Sequence, residues 1–290
     1  QGSPAPPEAP EETVRLTWSG PMVARPVSLD VRELETDHVH LRVTAETRGV
    51  VTMVDNATGA SGRCNVLEYG ATTQDLALAA SGVATATLQM PGQGRITASR
   101  IEQNLGSGIG HVPGAGLIEA LSAEPGAAND PSRPMARWSD SATFLFATAD
   151  GRMTDRIKEA TLIGDVTASS KGSSLSGETV HAYFDVSSGD EAGSPSLARV
   201  RADGSVQTGD AKGNTLEAGV LDVAFSSPTE GGEPDPTLAT AIGSVRVKSA
   251  SGDEVTAAFL EAELGRDERG ELGARVVRAE EWVEVRTAAG

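Results

Sequence analysis

Ala160-Thr-Leu-Ile-Gly164-Asp-Val166, Leu175-Ser-Gly177 and Val180-His-Ala182-Tyr-Phe184 decide the reading of this chain. In each piece apolar and polar residues alternate with period two, the pattern of a half-buried β-strand. The figure returns as Ala202-Asp-Gly204-Ser-Val206, Leu216-Glu-Ala218 and Leu221-Asp-Val223-Ala-Phe225. It returns again as Ala241-Ile-Gly243-Ser-Val245, Val255-Thr-Ala257 and Leu260-Glu-Ala262-Glu-Leu264. Val166 precedes Val206 by 40 residues, and Val206 precedes Val245 by 39. The stretch 277–285 (VRAEEWVEV) reads as a final strand that begins a fourth unit. Upstream, Ile96-Thr-Ala98 and Ile101-Glu-Gln-Asn-Leu105 carry the same figure. A stretched copy lies between, in 114–117 and 142–146, split by the Pro-rich insertion 122–134. Residues 14–18, 39–43 and 50–54 read as further strands, and turn clusters fall at 169–174, 187–196, 226–237, 249–253 and 266–270.

Within each unit the alternation slips by one. Leu175 and Gly177 share one parity, while Val180, Ala182 and Phe184 share the other. Leu216/Ala218 against Leu221/Val223/Phe225, and Val255/Ala257 against Leu260/Ala262/Leu264, repeat the slip, as does Ile96/Ala98 against Ile101/Leu105. A one-residue slip turns the apolar set outward unless the chain bulges or turns a corner there. A recurrent slip therefore predicts a recurrent corner. Each unit then runs along one sheet, bends, and continues in a facing sheet. The expected fold is all-β: a two-walled, flattened β-solenoid or jelly roll of ~39-residue repeats with an apolar interior.

Composition narrows the function. The 290 residues hold 41 acidic and 24 basic side chains, a net charge of −17, which argues against a phosphate-tracking nucleic-acid binder. With 33 Gly and 15 Pro, many turns and few long helices are expected. No apolar run approaches the ~18 residues of a membrane-spanning helix. The single cysteine, Cys64, forms no intrachain disulfide and no thiolate zinc site, and reads as a small strand residue. Residues 1–12 (QGSPAPPEAPEE) read as a disordered linker, as after a cleaved signal, behind a membrane anchor, or at a start chosen for expression.

These residues resemble the OstA-like superfamily of periplasmic lipopolysaccharide-transport proteins (LptA, LptC and the N-terminal domain of LptD). The resemblance rests on the Ala-x-x-x-Gly-x-Val start at Ala160 to Val166, the Ala-x-Gly-x-Val starts at Ala202 and Ala241, and the Leu-x-Ala/Gly-x-x-Leu/Val steps after them. It covers 157–285 well and 14–121 faintly. It implies an OstA-like twisted, open β-jelly roll whose slot holds acyl chains of a lipopolysaccharide or other lipid. It also implies end-to-end stacking of OstA-like domains between an inner-membrane transporter complex and an outer-membrane translocon. The location implied is the periplasm, free or tethered to the inner membrane. The domains expected are the linker 1–12, an N-terminal half at 13–121, a Pro-rich insertion at 122–137 and a C-terminal repeat domain at 138–286. One fused or two separate jelly rolls fit equally.

The candidate groove residues are Ile96, Ile101, Val166, Leu175, Val180, Phe184, Val206, Leu216, Leu221, Phe225, Val245, Val255 and Leu260. The same side chains would equally form a closed core, because groove and core share one periodicity. That alternative makes the chain a structural solenoid without lipid cargo. Val277, Ala279, Trp282, Val283 and Val285 form the candidate edge-strand interface, with a second edge at 14–18. Charges at Arg278, Glu280, Glu281, Glu284 and Arg286 would equally cap that edge. A polysaccharide-processing enzyme is the third reading, but no convergent acid–base pair is evident, and no enzyme activity, cofactor or metal is expected. His38 and His40 read as a solvent-facing pair without a third ligand, His181 as outward-pointing, and 106–113 (GSGIGHVP) as a loop without the lysine of a phosphate-binding turn.

Overall fold

The computed structural model describes residues 14–26, 39–46, 49–56, 58–82, 84–91, 94–120, 133–149, 152–186, 196–226, 234–268 and 270–288. Among them the chain is all-β, with no helix, and forms one large, open, antiparallel sheet of 22 strands. The linker 1–12, His38, and most of the long excursions at 122–134, 187–196 and 226–237 lie outside the described residues.

Strand pairing sorts the first half of the chain into two ladders. One contains β2 (Met22–Pro26), β3 (Val39–Thr44), β6 (Val66–Gly70), β7 (Asp75–Ala79), β10 (Arg100–Asn104), β11 (Ile109–Pro113) and β14 (Ser141–Ala149), each paired with the next. The other contains β1 (Val14–Thr17), β4 (Val51–Asp55), β5 (Ser61–Cys64), β8 (Ala86–Met90), β9 (Gly94–Ala98), β12 (Gly116–Glu119) and β13 (Met135–Trp138). β15 (Arg152–Ser170) joins both: its first part pairs with β14 and its last part with β13. From there β16 (Ser173–Asp185), β17 (Ser196–Gly209), β18 (Thr215–Phe225), β19 (Pro236–Lys248) and β20 (Glu254–Arg266) each run through both ladders. β21 (Leu272–Glu280) and β22 (Glu284–Arg286) then pair with the two ends of β20.

Where a long strand passes between ladders, the register shifts. Ile163 faces Thr179 but Val166 faces Gly177, so two residues of β15 stand against one of β16. The same bulge separates Asp203 from Val206 on β17 and Ile242 from Val245 on β19. The extra residues are Gly164-Asp165, Gly204-Ser205 and Gly243-Ser244, all with positive φ. Glycine bears that conformation without steric cost, which explains its place in each repeat start. The slip in the sequence falls on the opposing strands β16, β18 and β20. The bulged strands keep their parity, Leu162 with Val166 and Ala202 with Val206, because their additional residue restores it.

The inward side chains form one core. Trp138 of one ladder meets Phe144 of the other edge-on, with ring centroids 6.1 Å apart. A Cβ on Gly62 in β5 would stand 2.9 Å from Leu78 Cδ1 in β7, so these walls touch where glycine permits it. Leu67, Leu78, Leu88, Ile96 and Phe144 are sealed from solvent.

Several local expectations need correction. The cluster 169–174 is not a six-residue turn: β15 and β16 pair through Ser170 and Ser173, leaving only Lys171-Gly172, both at positive φ. The Gly-rich run is a turn only over 105–108, and Ile109–Pro113 is β11, hydrogen-bonded on both sides. The last strand is not continuous: Glu281 and Trp282 take the positive-φ positions of the earlier corners and divide it into β21 and β22.

Candidate functional site

Two rows of inward residues run along the repeat half. Beside the bulges, Leu162, Val180, Ala202, Leu221, Ala241 and Leu260 stand opposite one another in turn, each buried. Farther from the bulges, in the other ladder, Leu175, Thr208, Leu216, Val247 and Val255 stand opposite one another and are only half-buried. The candidate groove residues divide accordingly. Ile96, Ile101, Val166, Val180, Val206, Leu221, Val245 and Leu260 are closed from solvent as core floor. Leu175, Phe184, Leu216, Phe225 and Val255 are half-buried, as are Val200 and Val223. The apolar side chains are thus buried along the bulges and half-buried away from them.

At the C-terminal edge, Val277, Val283 and Val285 are exposed, Trp282 is 74% exposed and Ala279 is half-buried. β21 and β22 pair only with β20, so their outer hydrogen-bonding groups have no strand partner among the described residues. Val14, Trp18, Met22 and Val23 are exposed at the opposite edge.

The outward face of the first ladder holds a cavity of about 540 Å³ beside His40, Glu68, Arg100, Glu102 and His111. Its charges are mutually satisfied. Arg100 Nε donates to Glu102 Oε1 at 2.6 Å, and Arg42 lies 3.3 Å from Glu68. The Glu102 hydrogen bond raises the Arg100 pKa further, against burial. His181 points outward as expected and sits 3.1 Å from Thr161 Oγ1. Among the described residues no three His, Cys, Asp or Glu side chains gather to hold a metal. Cys64 is 3% exposed, and burial pushes its thiol up to about 11 despite a backbone hydrogen bond at Ala79.

The sequence reading passed over one buried polar group. Gln103 shares the parity of Ile101 and Leu105, and that parity places its carboxamide inward; it is 7% exposed. It lines a cavity of about 370 Å³ between the two ladders.

No family model, curated protein or solved structure matches this chain.

Proposed function

We propose that the chain is a non-catalytic lipid-binding protein that shelters acyl chains along the half-buried lips of its repeat half. On this reading it is an OstA-like twisted open β-jelly roll, a periplasmic bridge component that stacks edge to edge with similar domains and passes lipopolysaccharide or a related lipid. The observation that carries the reading is the graded interior: sealed at Val166, Val206 and Val245, half-open at Leu175, Leu216 and Val255. A carrier without its own energy source must hide methylenes from water and still let them slide. Each hidden methylene contributes ~0.8 kcal/mol, so a dozen contribute on the order of 10 kcal/mol before entropic and head-group costs. Aliphatic lips provide this without directional bonds that would trap the cargo.

The sealed core floor favours a second reading, a structural β-solenoid without cargo. One experiment separates the two. Lipid mass spectrometry of the native purified protein, with a photoreactive residue at Leu216, should find copurifying lipid crosslinked at that position. Crosslinks confined to residues of the same chain would leave the structural reading standing.

A further inference from the structure

The cavity between the ladders in the N-terminal half is unlike the rest of the interior. Its walls are Met53, Leu76, Leu88, Met90, Leu105 and Met153, contributed by both ladders and by the start of β15. Three of the five methionines of the chain therefore meet around one space. Methionine is the adaptable apolar side chain of binding surfaces that accept a flexible guest. A volume of about 370 Å³ is in the range of ligand pockets and holds a chain on the order of ten carbons.

Into this space faces Gln103. In its inward row it stands between Leu76 of β7 and Gly110 of β11. It is the single buried polar residue among the described residues, and its side chain makes no hydrogen bond to any of them. A carboxamide largely withdrawn from water gains from a donor and an acceptor opposite it. Tyr69, Gln74, Thr58 and Thr154 also line the cavity, but none of them is hydrogen-bonded to the Gln103 carboxamide, so a guest's hydroxyl or amide can take that place. The charged residues lining the cavity are Asp55 and Asp155, with no Lys, Arg or His among the lining residues. An anionic head is repelled there, and an uncharged one is not.

We propose that this cavity binds an uncharged single-chain amphiphile of about ten carbons, whose hydroxyl or amide group bonds the Gln103 carboxamide. This site is separate from the lips of the repeat half and does not depend on the reading given for them.

The test uses the full chain with ¹³C-methyl-labelled methionine, titrated with 1-decanol and with decanoate. Decanol should shift the Met53, Met90 and Met153 methyl signals and leave Met22 and Met135, which do not line the cavity, unmoved. Decanoate should bind roughly tenfold or more weakly, and Gln103→Leu should weaken decanol by roughly tenfold while the chain stays folded. A Leu216→Asp variant should bind decanol as the wild type does, even if it loses any lipid at the lips. Decanol that moves none of the three methyls, that moves all five alike, or that binds no better than decanoate would overturn the proposal. So would a Gln103→Leu variant that binds decanol unchanged.

Discussion

Val245 and Val283 stand at the same step past a register break, yet one is 1% exposed and the other 46%. Each directly follows a pair of positive-φ residues, Gly243-Ser244 and Glu281-Trp282. Val245 lies on β19, hydrogen-bonded to β18 and β20, whereas Val283 lies at the edge formed by β21 and β22, with no strand paired beyond it among the described residues. Val283 thus takes a position that is buried in β19 but is left uncovered by the described residues.

On the proposed reading this edge mates with another strand. Sedimentation of the full chain should show association that rises with concentration. Val285→Pro, which removes an amide donor from β22, should abolish it without lowering the unfolding midpoint much. A monomer at every concentration would mean that the flanking charges, Arg278 and Glu284 among them, keep the edge capped.

The corner glycines differ in what a side chain would meet. Gly243 has φ +82°, and a Cβ there would come no nearer than 3.7 Å to another atom outside its neighbours, so Gly243→Ala carries the left-handed backbone cost alone, ~1–2 kcal/mol. Gly164 has φ +89°, and its Cβ would fall on the side chains of Asp140 and Ser139. Gly164→Ala should therefore cost more than Gly243→Ala in urea unfolding. Equal losses would show that the Asp140 side chain moves aside freely.

Leu78 and Leu216 differ in burial, and the proposed lip predicts that they differ in cost. Leu78 is 1% exposed, and Leu78→Ala should cost ~2–5 kcal/mol. Leu216 is half-buried, and Leu216→Ala should cost clearly less. Equal costs would indicate that the lips pack shut.

Cys64 should resist thiol reagents at neutral pH, reacting only as the chain unfolds. Its folded thiol titrates at about 11 against 9.0 for the ordinary group, chiefly through burial. Between those values the folded chain retains a proton that the unfolded chain has lost. The contribution is complete below 9.0 and disappears as the pH rises through about 11. Urea midpoints should fall over that window, and Cys64→Ala should flatten the fall. Rapid labelling at neutral pH would contradict the sealed position.

The strands were legible because period-two alternation survives in the composition of each repeat. Where sequence reasoning erred, local chemistry misled it. Serine at 169, 170, 173 and 174 reads as turn but pairs as strand, since the ladder supplies the hydrogen bonds that such residues otherwise seek locally. Ile109–Pro113 reads as loop because of its glycines, yet lies between two partner strands that hold it extended. The break at Glu281-Trp282 carries no glycine to announce it, and only the register of β20 against β21 and β22 imposes it.

By itself the sequence determined that the chain is β, that its apolar residues take one side, and that something interrupts the pleat once per repeat. Alternation records which residues share a face, and it is a local property of the backbone. Tertiary structure alone decided which strands neighbour each other, that the interruption is a two-against-one bulge, and that the apolar side chains grade from buried to half-buried. Those depend on how distant walls approach, as at Trp138 and Phe144, and no local pattern encodes that separation. The cavity around Gln103 belongs to the same class: its parity pointed inward, but the space it faces exists only once both ladders are in place.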